Sequence, residues 1–118
     1  MTFKKAVVKT THLETAWKPG LRALRSEDRL HIEPEDPQRL TGSVDIDTAL
    51  APVYPHANRW DFAIGYRHAD RKAEVIYWTE LHTATDGEVR VVIAKTRWLL
   101  GWLKGAGKCL AKFEREIV

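Results

Sequence analysis

The chain is poor in several features, and each scarcity narrows what it can be. It has one cysteine, Cys109, in 118 residues, so an internal disulfide is impossible and a reduced, cytoplasmic setting is expected. No apolar run approaches the roughly 20 residues that a bilayer-crossing helix needs, which predicts no membrane partner. The opening MTFKKAVVKTTH carries two lysines but no hydrophobic segment or small-residue cleavage site, so no export signal is expected. There is no glycine-rich phosphate loop, dinucleotide-binding fingerprint or nucleophile elbow. His12, His31, His56 and His68 lack ligand spacing with one another, which argues against zinc. Cys109 has no base beside it in sequence, which argues against a thiol nucleophile.

What remains is ordinary globular chemistry. A hydrophobic fraction of 44% with 30% charged residues excludes a disordered chain. The length suits one domain, 1–118, with a single core. A net charge of +3 permits a phosphate-backbone partner without requiring one. Six basic residues fall from Lys4 to Arg25 and six from Lys95 to Arg115, and most such charges only solvate a surface.

Patterning predicts the elements. Residues 3–17 are expected to be helical despite the β-branched run Val7, Val8, Thr10 and Thr11, with a break at Pro19-Gly20. EPEDPQ, residues 33–38, reads as a loop. In RLTGSVDIDTAL, Val44 and Ile46 alternate with Ser43, Asp45 and Asp47, which predicts a half-buried strand, and Asp47 is placed to cap a turn from Thr48. Trp60, Phe62, Ile64 and Tyr66 alternate with Asp61, Ala63, Gly65 and Arg67 in a second strand. RHADRK makes a hairpin connector to a third strand at 74–82. A long helix follows, capped by Thr85 or Asp86, with Val89, Val92, Ile93, Thr96, Leu99, Leu100 and Leu103 as its buried stripe. Gly105 and Gly107 end it, and FEREIV reads as a last strand. The expected fold is an α/β sandwich with a small mixed sheet flanked by helices, in the order αβββαβ.

The stretch AEVIYWTELHTA, residues 73–84, carries the chemistry. A strand this apolar ends with Glu80 and His82 two positions apart, hence on one face. A carboxylate in a two-sided apolar strand is expensive to bury without a partner or a purpose. Hydrolysis of a phosphodiester calls for a divalent metal and an activated water, and hard metals want oxygen ligands. Asp61 and Glu80 form a minimal Mg²⁺ or Mn²⁺ site if the hairpin sets them side by side, with His82 in reach of the attacking water. Structural alternatives stand beside this reading: Asp61 as a turn residue, His82 bonded at the strand's exit, Asp45 and Asp47 as caps. Trp98 and Trp102, one helical turn apart, read first as core. The alternative is an exposed pair serving a homodimer or a nucleic acid.

At Asp61 in RWDFAIGY and Glu80-Leu81-His82 in YWTELH the sequence resembles the PD-(D/E)XK nuclease-like superfamily, over roughly residues 40–118. GSVDIDTAL, RWDFAIGYR and WTELHTA also look like segments shared by a group of uncharacterised bacterial proteins. The resemblance implies a restriction-endonuclease-like core of helix, three strands, helix and strand. It implies Asp61 and Glu80 as metal ligands with the Leu81 carbonyl as a third, and Lys95 reaching the site from the helix. His82 stands where the family has lysine, and an imidazole lacks lysine's reach and fixed charge. Two functions follow as expectations: a metal-dependent nuclease using Asp61, Glu80, His82 and Lys95, or a catalytically inactive relative that binds nucleic acid or protein.

Overall fold

The computed structural model describes residues 1–70, 73–81 and 86–118, with only the backbone of 86–88. Its centre is a four-stranded sheet in the order β1-β2-β3-β4, formed by Leu40–Asp45, Phe62–Tyr66, Val75–Thr79 and Glu114–Ile117. β1 and β2 run antiparallel, as do β2 and β3, whereas β4 returns parallel to β3. Parallel return requires a crossover, which the long helix α4, Asp86–Lys104, supplies. The protein is therefore an α/β domain with a mixed sheet flanked by helices. Among the described residues no helix is long and apolar enough to cross a membrane.

Strand alternation divides the core in two. Val44, Ala63, Ile76 and Trp78 face helix α1 (Phe3–Lys9), α4 and a short helix α5 (Lys108–Ala111), contributing with Phe3, Val7, Leu99, Trp102 and Leu110 to the larger cluster. Phe62 and Ile64 face the other way and pack with Leu24, under a cover from Leu21, Ala23 and Ile32. β2 is buried along its whole length, which explains why FAIGY reads as apolar on both sides.

Local chemistry sets several boundaries differently from the expectation. The first helix stops at Lys9 rather than residue 17. Thr10 turns extended, its hydroxyl donates to the Ala6 carbonyl, and His12 takes a positive φ of 73°. The chain then runs through turns to Lys18, whose backbone exchanges two 2.9 Å hydrogen bonds with Ser43 along the outer edge of β1. The short helix α2, Ser26–Arg29, lies within the covering segment. β1 ends at Asp45, and Ile46 opens helix α3, Ile46–Leu50. The cap is Asp45 rather than Asp47: its carboxylate accepts from the Thr48 N–H at 2.9 Å and from the Thr48 hydroxyl at 2.8 Å.

The stripe of α4 also departs from expectation. Leu99 and Leu103 are buried, but Val89 and Ile93 lie 52% and 48% exposed, and the buried positions continue through Trp102 and Lys95. Trp102 stacks on Trp98 with centroids 5.8 Å apart and meets Trp78 edge-on at 6.3 Å. It is thus a core residue, and Trp98 is half-buried against it. The proposed cap at Thr85 lies outside the described residues.

Candidate functional site

Asp61 sits just before β2 and Glu80 just after β3, so antiparallel pairing of Phe62 with Thr79 brings them alongside each other. Both belong to the strand face that turns toward α4. From that helix the Lys95 side chain comes between them. Its Nζ lies 2.8 Å from Asp61 Oδ1, and 2.6 and 2.8 Å from the two Glu80 carboxylate oxygens. The Asp61 backbone N–H donates to Glu80 Oε1 at 3.0 Å. The Asp61 carbonyl in turn accepts from the Ile46 and Asp47 N–H groups at the start of α3. The position of Asp61 is therefore fixed from three elements.

Burial differs across the cluster and decides its electrostatics. The Glu80 side chain is 4% exposed, that of Lys95 10% and that of Asp61 23%. Burial pushes the Glu80 carboxyl above its ordinary value; the Lys95 hydrogen bond and charge oppose this, and repulsion from Asp61 adds to it. For Lys95, burial pulls downward, but its hydrogen bonds to Asp61 and Glu80 and both negative charges outweigh it. The ammonium ends above the ordinary 10.5. Two carboxylates share one cation, leaving the cluster one negative charge when all three groups are ionised.

Asp61 opens onto a small cleft of about 180 Å³ lined also by Leu81, Phe62, Asp45, Asp47, Asp28 and Arg25. Asp47 is held by Arg59, whose Nε lies 2.9 Å from its carboxylate and whose Nη1 donates to the Tyr54 carbonyl at 2.6 Å. Arg59 therefore anchors the loop leading into Asp61. Its role was not legible in the sequence, because a lone arginine in a proline-containing loop carries no spacing signal.

Of the residues singled out in the sequence, Asp61, Glu80 and Lys95 come together. Leu81 lies at the mouth of the cleft beside Asp61, with its side chain packed on the opposite sheet face. His82 lies outside the described residues. No group of three or more His, Cys, Asp or Glu among the described residues is arranged to hold a metal ion. Chemically, the arrangement offers a buried ammonium between two carboxylates, one of them water-accessible, at the edge of a polar cleft. No family model, curated protein or solved structure matches this chain.

Proposed function

We propose that the chain is a metal-dependent nuclease of the PD-(D/E)XK kind, with a restriction-endonuclease-like core and the site lysine carried on α4 as Lys95. The observation that carries this reading is the convergence of Asp61 and Glu80 on one cationic centre from two strands and a helix. The element order supports it: a helix, three antiparallel strands, a crossover helix, and a strand parallel to the third.

Carboxylate oxygens are the donors a hard divalent cation takes, and those of Asp61 and Glu80 converge on the single positive charge of Lys95. Asp61 and Glu80 would hold Mg²⁺ or Mn²⁺, with the Leu81 carbonyl as a further oxygen. The metal would supply Lewis-acid stabilisation of the phosphoryl charge and a more acidic water. Lys95, whose Nζ lies between the two acids, would offer its ammonium to a phosphate oxygen. Its position on a rigid helix holds that charge in place. Glu80, with its raised carboxyl, fixes the backbone of Asp61 through the 3.0 Å hydrogen bond and so orients the more exposed acid. His82, two positions after Glu80 in the sequence, is the group proposed to orient water.

A second reading is favoured by the same short contacts. Lys95 already neutralises much of the carboxylate charge, as it would in an inactive relative that keeps the fold to bind nucleic acid or protein. Calorimetric titration with Mn²⁺, run beside cleavage assays on plasmid DNA and single-stranded RNA, separates the two. The nuclease predicts saturable metal binding that Asp61→Asn removes, and cleavage that Glu80→Ala abolishes without unfolding the protein. If the parent takes up no Mn²⁺ at millimolar concentration and cleaves neither substrate, the nuclease reading falls and the binding reading stands.

A further inference from the structure

The opposite face of the sheet carries a larger cavity that the proposed nuclease site does not use. Its volume is about 440 Å³, within the range of small-molecule pockets. Asp61 precedes β2 and Tyr66 ends it, so strand rise alone separates the cavity's aromatic end from the acid by about 16 Å.

Three rings meet at that end. Tyr66 and His68 lie edge-to-face with centroids 4.9 Å apart, Tyr66 and Tyr77 likewise at 6.4 Å, and His68 Nε2 is 2.6 Å from the Tyr77 hydroxyl. The Tyr66 hydroxyl accepts from the Asp36 N–H, which ties the ring to the loop covering the cavity. Ile64 contributes to the apolar wall, and exposed Glu33 and Glu35 contribute carboxylates. Among the described residues no lysine or arginine lines the cavity, although the chain has more basic than acidic residues.

An apolar, ring-rich cavity bearing carboxylates matches one chemistry best. Aromatic faces attract a desolvated cation through their quadrupoles, and carboxylates add attraction of the same sign. We infer that this cavity binds a small organic cation with an apolar body, an aryl- or alkylammonium. The inference stands apart from the nuclease reading, because it shares no residue with the Asp61–Glu80–Lys95 cluster.

The test is a calorimetric titration of the whole chain with benzyltrimethylammonium, and separately with the neutral benzyl alcohol and the anionic phenylacetate. The expected result is saturable binding of the cation, about tenfold tighter than either counterpart. The Glu33→Gln/Glu35→Gln variant, altered only at exposed positions, narrows that preference. Tyr77→Ala, its fold checked by circular dichroism, weakens cation binding. The inference is overturned if the cation fails to saturate at millimolar concentration, if phenylacetate binds as tightly, or if the double glutamine variant keeps the full preference. Since none of these measurements involves metal or nucleic acid, their failure leaves the nuclease reading untouched.

Discussion

Replacing Lys95 with methionine is the most direct perturbation of the cluster. The two side chains are similar in length, so the space filled at this buried position is largely kept while the charge is lost. Removing one partner from a buried ionic group leaves the other uncompensated, at a cost of about 3–5 kcal/mol when burial is complete. Here Glu80 is almost fully buried, but Asp61 keeps contact with water, so the lower end applies: about 3 kcal/mol at neutral pH. For a chain of this length that lowers Tm by roughly 12 °C. The pH dependence is the sharper readout. In the parent the Glu80 carboxyl already lies above its ordinary 4.5, and Lys95→Met removes the two influences that oppose the rise. The folded state then favours the protonated acid still more strongly. The variant's deficit is therefore smallest below 4.5 and grows as pH rises through the raised value. The parent shows the complementary limit at high pH. Stability from the raised Lys95 is fully present below 10.5 and is lost as pH rises through its folded value, whereas Lys95→Met shows no such loss. Urea unfolding across the pH range measures both effects. Adding Glu80→Gln to Lys95→Met should restore most of the neutral-pH loss, since the unpaired charge goes with it. A deficit under about 1 kcal/mol that does not change with pH would refute the buried ionic cluster.

Three further substitutions probe how the fold holds that site. Glu74, buried at 5% exposure, accepts from the Phe3 N–H with both oxygens at 3.2 Å and lies 3.5 Å from Arg67 Nη2. Glu74→Ala should cost about 1.5–3 kcal/mol in urea unfolding and expose the start of α1 to faster amide exchange. Gly65 lies beneath Phe3, where an added Cβ would come within 2.7 Å of the ring and meet the Thr41 hydroxyl. Gly65→Ala is therefore expected to lose about 1–3 kcal/mol, read as a lower denaturation midpoint with an unchanged slope. Trp102→Ala opens the core between Trp78 and Trp98, at a cost of about 3–5 kcal/mol in thermal unfolding.

Strand content was the most legible part of the structure. Period-two alternation marks residues 43–47, 60–67 and 74–82, and each overlaps a strand: β1 starts earlier, at Leu40, and gives way to α3 at Ile46, whereas β2 and β3 are shorter than their patterns. The parallel placement of FEREIV beside β3 was not legible, since four exposed residues at an edge carry no burial pattern. Helix ends were read least well, for reasons that are local and physical. Asp45 and Asp47 are both plausible caps in the sequence, and only the backbone turn after β1 selects Asp45. Thr10 stops α1 by an extended backbone that helix propensity alone does not dictate.

The candidate site was legible because its acids break a pattern. An acidic residue at the start of one apolar strand and another at the end of the next must lie side by side if the strands form a hairpin, whatever the fold around them. What the sequence did not show is the strength of the claim Lys95 makes on them. On the helix its position falls inside the buried face, one turn before Leu99 and outside the apolar stripe expected from the sequence. A charged residue on that face is costly unless something on the sheet answers it. Once the sheet register places Asp61 and Glu80 opposite, the same residue that disturbs the helical pattern becomes the third corner of the cluster. Three separate departures from apolar periodicity, one on each element, thus account for one another. Such mutual compensation leaves the position of each strongly constrained by the other two, and it makes the Lys95 and Glu80 substitutions non-additive.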